Sequence, residues 1–155
     1  MPIATVLLET VYYNFDLFIT NFVKKWQLRF EPYYEGDALG MIIDGMVVGC
    51  AFFPAPLTEA ALIQSARENT LWPEAEVRAL KHKAHLKVTV TREHDLTAGH
   101  ILLSKVIYSL LQQPNVSGIY LESGFFEPVY YINCAECLMI NKLPKELWPN
   151  VKDRR

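Results

Sequence analysis

Asp44-Gly45 stands between two apolar runs, Ala38–Ile43 and Met46–Phe53. Asp-Gly in that setting is the strongest short-range hairpin signal, because both positions of a tight two-residue turn need φ > 0. The chain is therefore expected to pair these runs as neighbouring antiparallel strands. Other strands and helices must be arranged around that hairpin.

Residues 3–10 are apolar and rich in β-formers, with Pro2 fitting only before the strand or at its start. Asn14 or Asp16 can cap a helix running to about Lys25, with Phe18, Ile19, Phe22 and Val23 on one face. Residues 28–34 alternate as a half-buried strand does. After Pro54-Ala55-Pro56, Thr58 can cap a helix carrying Ala61, Leu62 and Ala66. Trp72-Pro73-Glu74 then marks a second helix start, since Pro suits the first helical position. Residues 76–83 follow with Val77, Leu80 and Ala84 at helical spacing. Residues 86–91 alternate cleanly: Leu86, Val88 and Val90 face one way, Lys87, Thr89 and Thr91 the other. Asp95 or Thr97 caps a long apolar helix to about Gln113. A short strand over 116–121 and a closing helix over 128–140 complete the order β-α-β-β-β-α-α-β-α-β-α. This predicts an α+β fold with a mainly antiparallel sheet and helices packed on one face, ferredoxin-like or related. The 155 residues suit a single domain, with the segment from about Leu143 read as a tail.

Fifteen basic and 17 acidic side chains give a formal net charge of -2, so no electrostatic case exists for nucleic acid or an anionic membrane. Apolar runs are broken well short of a membrane span. The N-terminus carries Glu9 early and lacks a basic leader, so it does not read as a signal peptide. Three cysteines do not form a secreted disulfide framework, and the chain is expected to be cytoplasmic.

Cys134-Ala135-Glu136-Cys137 has the spacing of a zinc or redox pair. Apolar residues surround it, which makes buried helical cysteines the simpler reading. His82 and His85 form an H-x-x-H pair just before a strand. They could supply a base, or serve as hydrogen-bonded structural residues. Glu122 and Glu127 flank Ser123-Gly124-Phe125-Phe126 on a loop, where two carboxylates could do acid-base work or be solvated. Adjacent aromatics at Phe125-Phe126 cannot both turn inward easily. Tyr12-Tyr13, Tyr33-Tyr34 and Tyr130-Tyr131 put one ring on each side of an element if all three elements are regular. The second ring is then available to a partner. No nucleophile elbow, H-E-x-x-H, P-loop or G-x-G-x-x-G occurs.

Pro54-Ala55-Pro56 after an apolar strand, then Trp72-Pro73, His82 with Ala84-His85 and the strand that follows, resemble the bacterial domain of unknown function 4261 family. Residues 98–111, 118–121 and Leu143-Pro144-Lys145-Glu146-Leu147-Trp148 fit the same order, and the likeness covers about two-thirds of the chain. The resemblance carries over no established enzymatic activity. Bacterial proteins of this size often sit beside secretion-system effectors, and some are immunity proteins, which is an analogy of context.

Two functional expectations follow. The first is a non-enzymatic, cytoplasmic protein-protein binding protein, in its sharpest form an immunity or adaptor protein that neutralises a toxic secreted effector. Its partner-binding residues would be Tyr33, Tyr34, Phe125 and Phe126, with no metal and no cofactor. The alternative is a small-molecule-binding protein or enzyme with a pocket near His82/His85 and Glu122/Glu127.

Overall fold

A computed structural model describes residues 2–92 and 94–148. Seven strands form one antiparallel sheet in the order β2-β3-β4-β5-β1-β6-β7. The strands are β1 (Ile3–Leu8), β2 (Pro32–Glu35), β3 (Ala38–Ile43), β4 (Met46–Phe53), β5 (Ala84–Thr91), β6 (Val116–Leu121) and β7 (Gly124–Phe126). The helices are α1 (Phe15–Trp26), α2 (Ala60–Glu68), α3 (Ala75–Lys81), α4 (Leu96–Leu110) and α5 (Pro128–Ala135), with a 3₁₀ turn over Glu136–Ile140.

The four central strands run β4-β5-β1-β6. The path from β1 through α1 to β4 passes over β5, and the path from β5 through α4 to β6 passes over β1. This is the split βαβ arrangement of ferredoxin-like folds, widened by β2 and β3 on one side and β7 on the other. The Asp44-Gly45 hairpin forms as expected, with φ of 52° and 78° and Ile43 opposite Met46. His94 Nε2–H donates to the Asp44 carbonyl at 2.7 Å and ties down the turn.

Alternation along the strands makes two faces. Ala4, Val6 and Leu8, Leu39 and Met41, Val48 and Cys50, and Leu86, Val88 and Val90 point into the main core. Phe18 and Phe22 of α1, Leu103, Val106 and Ile107 of α4, and Tyr131 of α5 close it. Asn14 caps α1 by accepting from Leu17 N–H at 3.0 Å, and Asp95 caps α4 by accepting from Ala98 N–H at 2.7 Å. The segment read as a tail also packs here. Leu147 and Trp148 are buried, and Trp148 Nε1–H donates to Ser104 Oγ at 2.8 Å. Residues 149–155 lie outside the described residues.

Helices on a single face describe α1, α4 and α5, while α2 and α3 lie on the opposite one. There they form a second, smaller core with Leu7, Trp72 and Phe125. The α2–α3 segment joins β4 to β5, which are adjacent antiparallel strands. Such a connection crosses no other strand, so the handedness that directs α1 and α4 does not bind it. Phe53 and His85, opposite each other where the strands meet this segment, both point to the second face.

Three local expectations are corrected. The second strand is Pro32–Glu35 and does not extend back to residue 28; Leu28 and Phe30 instead pack against the main core from irregular backbone. Helix α3 buries Ala75 and Ala79, and Val77 and Leu80 are exposed. Small residues let this short helix lie close to the sheet, so its larger apolar side chains turn outward. The closing helix ends at Ala135 and tightens into the 3₁₀ turn.

Candidate functional site

The histidine pair divides into two roles. Leu57 N–H donates to His82 Nε2 at 2.8 Å, and His82 Nδ1–H donates to the Ala79 carbonyl. Both ring nitrogens are thus committed to backbone groups, in the tautomer that leaves the ring neutral. Burial pushes the His82 pKa below its ordinary value, as a neutral acceptor at Nε2 requires. His82 therefore fixes the entry to α2 against the end of α3. His85 stacks on Phe53 with ring centroids 4.9 Å apart, and its Nδ1–H donates to the Ala55 carbonyl at 2.7 Å. These two contacts seat the Pro54-Ala55-Pro56 turn.

The cysteines lie on the other side of the sheet. Cys134 packs against the main core from the last turn of α5, and Cys137 falls in the 3₁₀ turn, where Sγ contacts the Lys142 carbonyl. Burial pushes both thiols above their ordinary range, the reverse of what a redox or metal-ligating thiolate needs. Between them Glu136 accepts from Lys25 Nζ and from Tyr108 O–H, each at 2.7 Å. The motif's central residue thus ties α1 and α4 together. The H-x-x-H and C-x-x-C pairs face opposite ways across the sheet, and among the described residues no group of three His, Cys, Asp or Glu side chains could hold a metal ion.

Of the four aromatics expected at a partner surface, the structure keeps one on an open apolar face. Phe125 is only 2% exposed and stacks on Trp72 at 5.0 Å, directly over Gly118. It belongs to the second core and is not an exposed anchor. Phe126 is half-buried and stacks on Tyr130. Tyr34 turns toward α1, where its O–H donates to Asp16 Oδ1 at 3.0 Å. Tyr33 takes the opposite side of β2 and lies across Gly40. A Cβ at Gly40 would fall 2.1 Å from the tyrosine ring, so only glycine gives the ring this seat.

Tyr33 identifies a surface that sequence reading missed. Helices α2 and α3 cover the second face over β6 and β7 and over the ends of β1 and β5 at Leu7 and His85, and leave it open over β2, β3, β4 and the rest of β5 and β1. Register places Tyr33, Gly40, Gly49, Thr89 and Ile3 in one row across five strands. Ile42, Val47 and Thr91 form the row on one side, and Ala38, Ala51 and Lys87 the row on the other. Phe53 lies beyond. Ile42 is 53% exposed, Tyr33 45%, and Phe53 and Ile3 40% each. The result is a smooth floor of small residues rimmed by large apolar ones. From strand geometry it measures roughly 20 Å along β4 and roughly 19 Å across the strands. The alternation in β3 and β4 contained this signal: Ile42 and Val47 fall out of phase with the buried Met41, Ile43 and Val48. Continuous apolar character hid the phase.

A separate groove lies at the far edge of the sheet. The C-terminal end of α2, the loop to α3, the β6–β7 turn and the start of α5 enclose about 390 Å³. Glu122 and Glu127 both line it, together with Trp72, Phe126 and Tyr130. Asn69 Nδ2–H donates to the Phe125 carbonyl at 2.7 Å and occupies an outward group of β7. His85 shares a different cavity with Glu122, so His82, His85, Glu122 and Glu127 do not converge on one site.

Comparison with family models, with curated proteins and with solved structures found no match. The family resemblance therefore rests on the quoted motifs alone.

Proposed function

We propose that this chain is a non-enzymatic protein-binding module that works through the uncovered sheet face and the adjoining edge strand β2. The observation that carries the reading is the contiguous exposure of Tyr33, Ile42, Phe53 and Ile3 on the half of the sheet that α2 and α3 leave bare. Large apolar patches on otherwise polar surfaces are where partners bind. The floor measures about 400 Å², half of the ~800 Å² per partner that a standard interface buries. The partner therefore also engages β2, whose four residues are all exposed and whose outer edge faces solvent. Pro32 and Glu35 within that strand discourage indiscriminate edge pairing.

A rigid scaffold presenting one such face suits an adaptor or immunity protein, whose work is done by binding alone. The three free cysteines suit a reducing cytoplasm. Tyr33 is the expected anchor, since tyrosine offers a large, rigid contact at low entropic cost. The test is affinity capture from the native host with the wild-type chain, with Ile42→Lys and with Leu80→Lys on the outer side of α3. A protein recovered by wild type and Leu80→Lys but lost with Ile42→Lys supports the reading. Equal recovery with all three contradicts it.

A further inference from the structure

We infer that the groove at the β7 edge binds an organic cation, an ammonium or guanidinium group carried on an apolar stem. Its volume of about 390 Å³ falls in the range of small-ligand pockets. Trp72, Phe126 and Tyr130 supply aromatic lining, and Glu68, Glu122 and Glu127 supply negative charge. No lysine, arginine or histidine lines it. Among the described residues the ion pairs are Lys25–Glu136, Arg67–Glu76 and Arg78–Glu9, and none of these involves Glu68, Glu122 or Glu127. Glu68 accepts one hydrogen bond, from Gln64 Nε2–H at 2.9 Å.

This combination selects the ligand by elimination. An anion would meet three carboxylates and no counter-charge. A neutral apolar ligand would use the rings and leave the carboxylates idle. A bare metal ion needs oxygen ligands converging on one point, and no group of three metal-ligating side chains does so among the described residues. An organic cation uses both features: its charge meets the carboxylates and the ring faces, and its methylene stem packs on the aromatic lining. The lining rings brace one another in pairs, since Phe125 stacks on Trp72 and Phe126 on Tyr130. The groove is thus built on fixed side chains.

Such a cation can arrive as a free small molecule or as an arginine or lysine side chain of a protein. The probes are n-butylguanidinium and its neutral isostere n-butylurea, and a short blocked peptide bearing arginine or, in its place, citrulline. Calorimetric titration of the full chain should show the charged member of a pair binding at least roughly tenfold more tightly than its isostere. A preference confined to the peptide pair assigns the cation to a protein partner; a preference already present with n-butylguanidinium assigns it to a small molecule. Glu122→Gln/Glu127→Gln should abolish the preference with the melting temperature held, and Ile42→Lys on the open sheet face should leave it intact. Equal binding within both pairs, including no measurable binding by any probe, overturns the inference. So does a preference that survives in the double Gln variant.

Discussion

Substituting Gly118 should change sign with its background. An ideal Cβ on Gly118 would fall 2.3 Å from Phe125 Cζ and 3.3 Å from Trp72 Cη2, far inside contact distance for the first. Phe125 is boxed between β6 and Trp72, so the ring cannot swing away without opening the second core. Overpacking of this kind costs about 1–3 kcal/mol, and for a chain of this length each kcal/mol lowers Tm by roughly 2–4 °C. Gly118→Ala should therefore melt about 2–12 °C below wild type. Phe125→Ala removes a buried aromatic and should cost about 3–5 kcal/mol. In the Phe125→Ala background the obstructing ring is gone. There Trp72 has lost the ring it stacks on and can give the few tenths of an ångström that its 3.3 Å contact requires, so Gly118→Ala gains what alanine gains over glycine within a strand, roughly 0.5–1 kcal/mol. The assay is a double-mutant cycle read by urea denaturation and thermal melting. If Gly118→Ala destabilises both backgrounds equally, Phe125 does not occupy the space over Gly118. The placement of α2 and α3 on the second face then loses its main support.

Three further outcomes follow from the same packing. Gly45→Val should cost about 1 kcal/mol or more, because a β-branched residue resists the φ of 78° that the hairpin turn requires; an unchanged Tm would count against the turn. His82 has its pKa lowered by burial, so its neutral form stabilises the fold fully above about pH 6.5, and that contribution is lost as pH falls through the folded value. The urea midpoint should therefore drop between about pH 8 and pH 5.5, and His82→Gln should flatten the drop; an identical pH slope in wild type and variant would contradict the assignment. Cys50, fully buried with its thiol pushed up to about 12, should resist a thiol reagent at mildly alkaline pH until the chain unfolds, whereas half-buried Cys134 and Cys137 should react slowly in the folded state. Rapid labelling of Cys50 in the native protein would show that the main core opens readily.

Much of the frame was legible because local chemistry and tertiary structure agree. Asp44-Gly45 states its turn, residues 86–91 state their alternation, and two of the three tyrosine pairs split as period-two or helical spacing demands, whereas Tyr12-Tyr13 lies in irregular backbone between β1 and α1. Tyr131 is buried where Tyr130 is only half-buried, and Tyr33 and Tyr34 take opposite sides of β2. What failed to read out was tertiary in origin. The apolar spacing of Val77 and Leu80 pointed to the wrong face of α3, because close approach to the sheet favours the alanine stripe. Strand β7 has only three residues, too short for a periodic signal, so Phe125 could not be told apart from Phe126. The open sheet face depends on where α2 and α3 stop covering β1 and β5, and no local pattern encodes a boundary of coverage. The groove around Glu122 and Glu127 likewise needs Trp72, some fifty residues earlier in the chain, to form its wall.

Site-specific photocrosslinking in the living host tests the central claim most directly. A photoreactive residue at Ile42 samples the open sheet face, and one at Leu80, 64% exposed on α3, samples an apolar position outside it. The account predicts a discrete adduct with a single partner from Ile42 and none from Leu80, with the Ile42 adduct lost when Tyr33→Ala is added. No adduct from Ile42, or the same adducts from both positions, would contradict it.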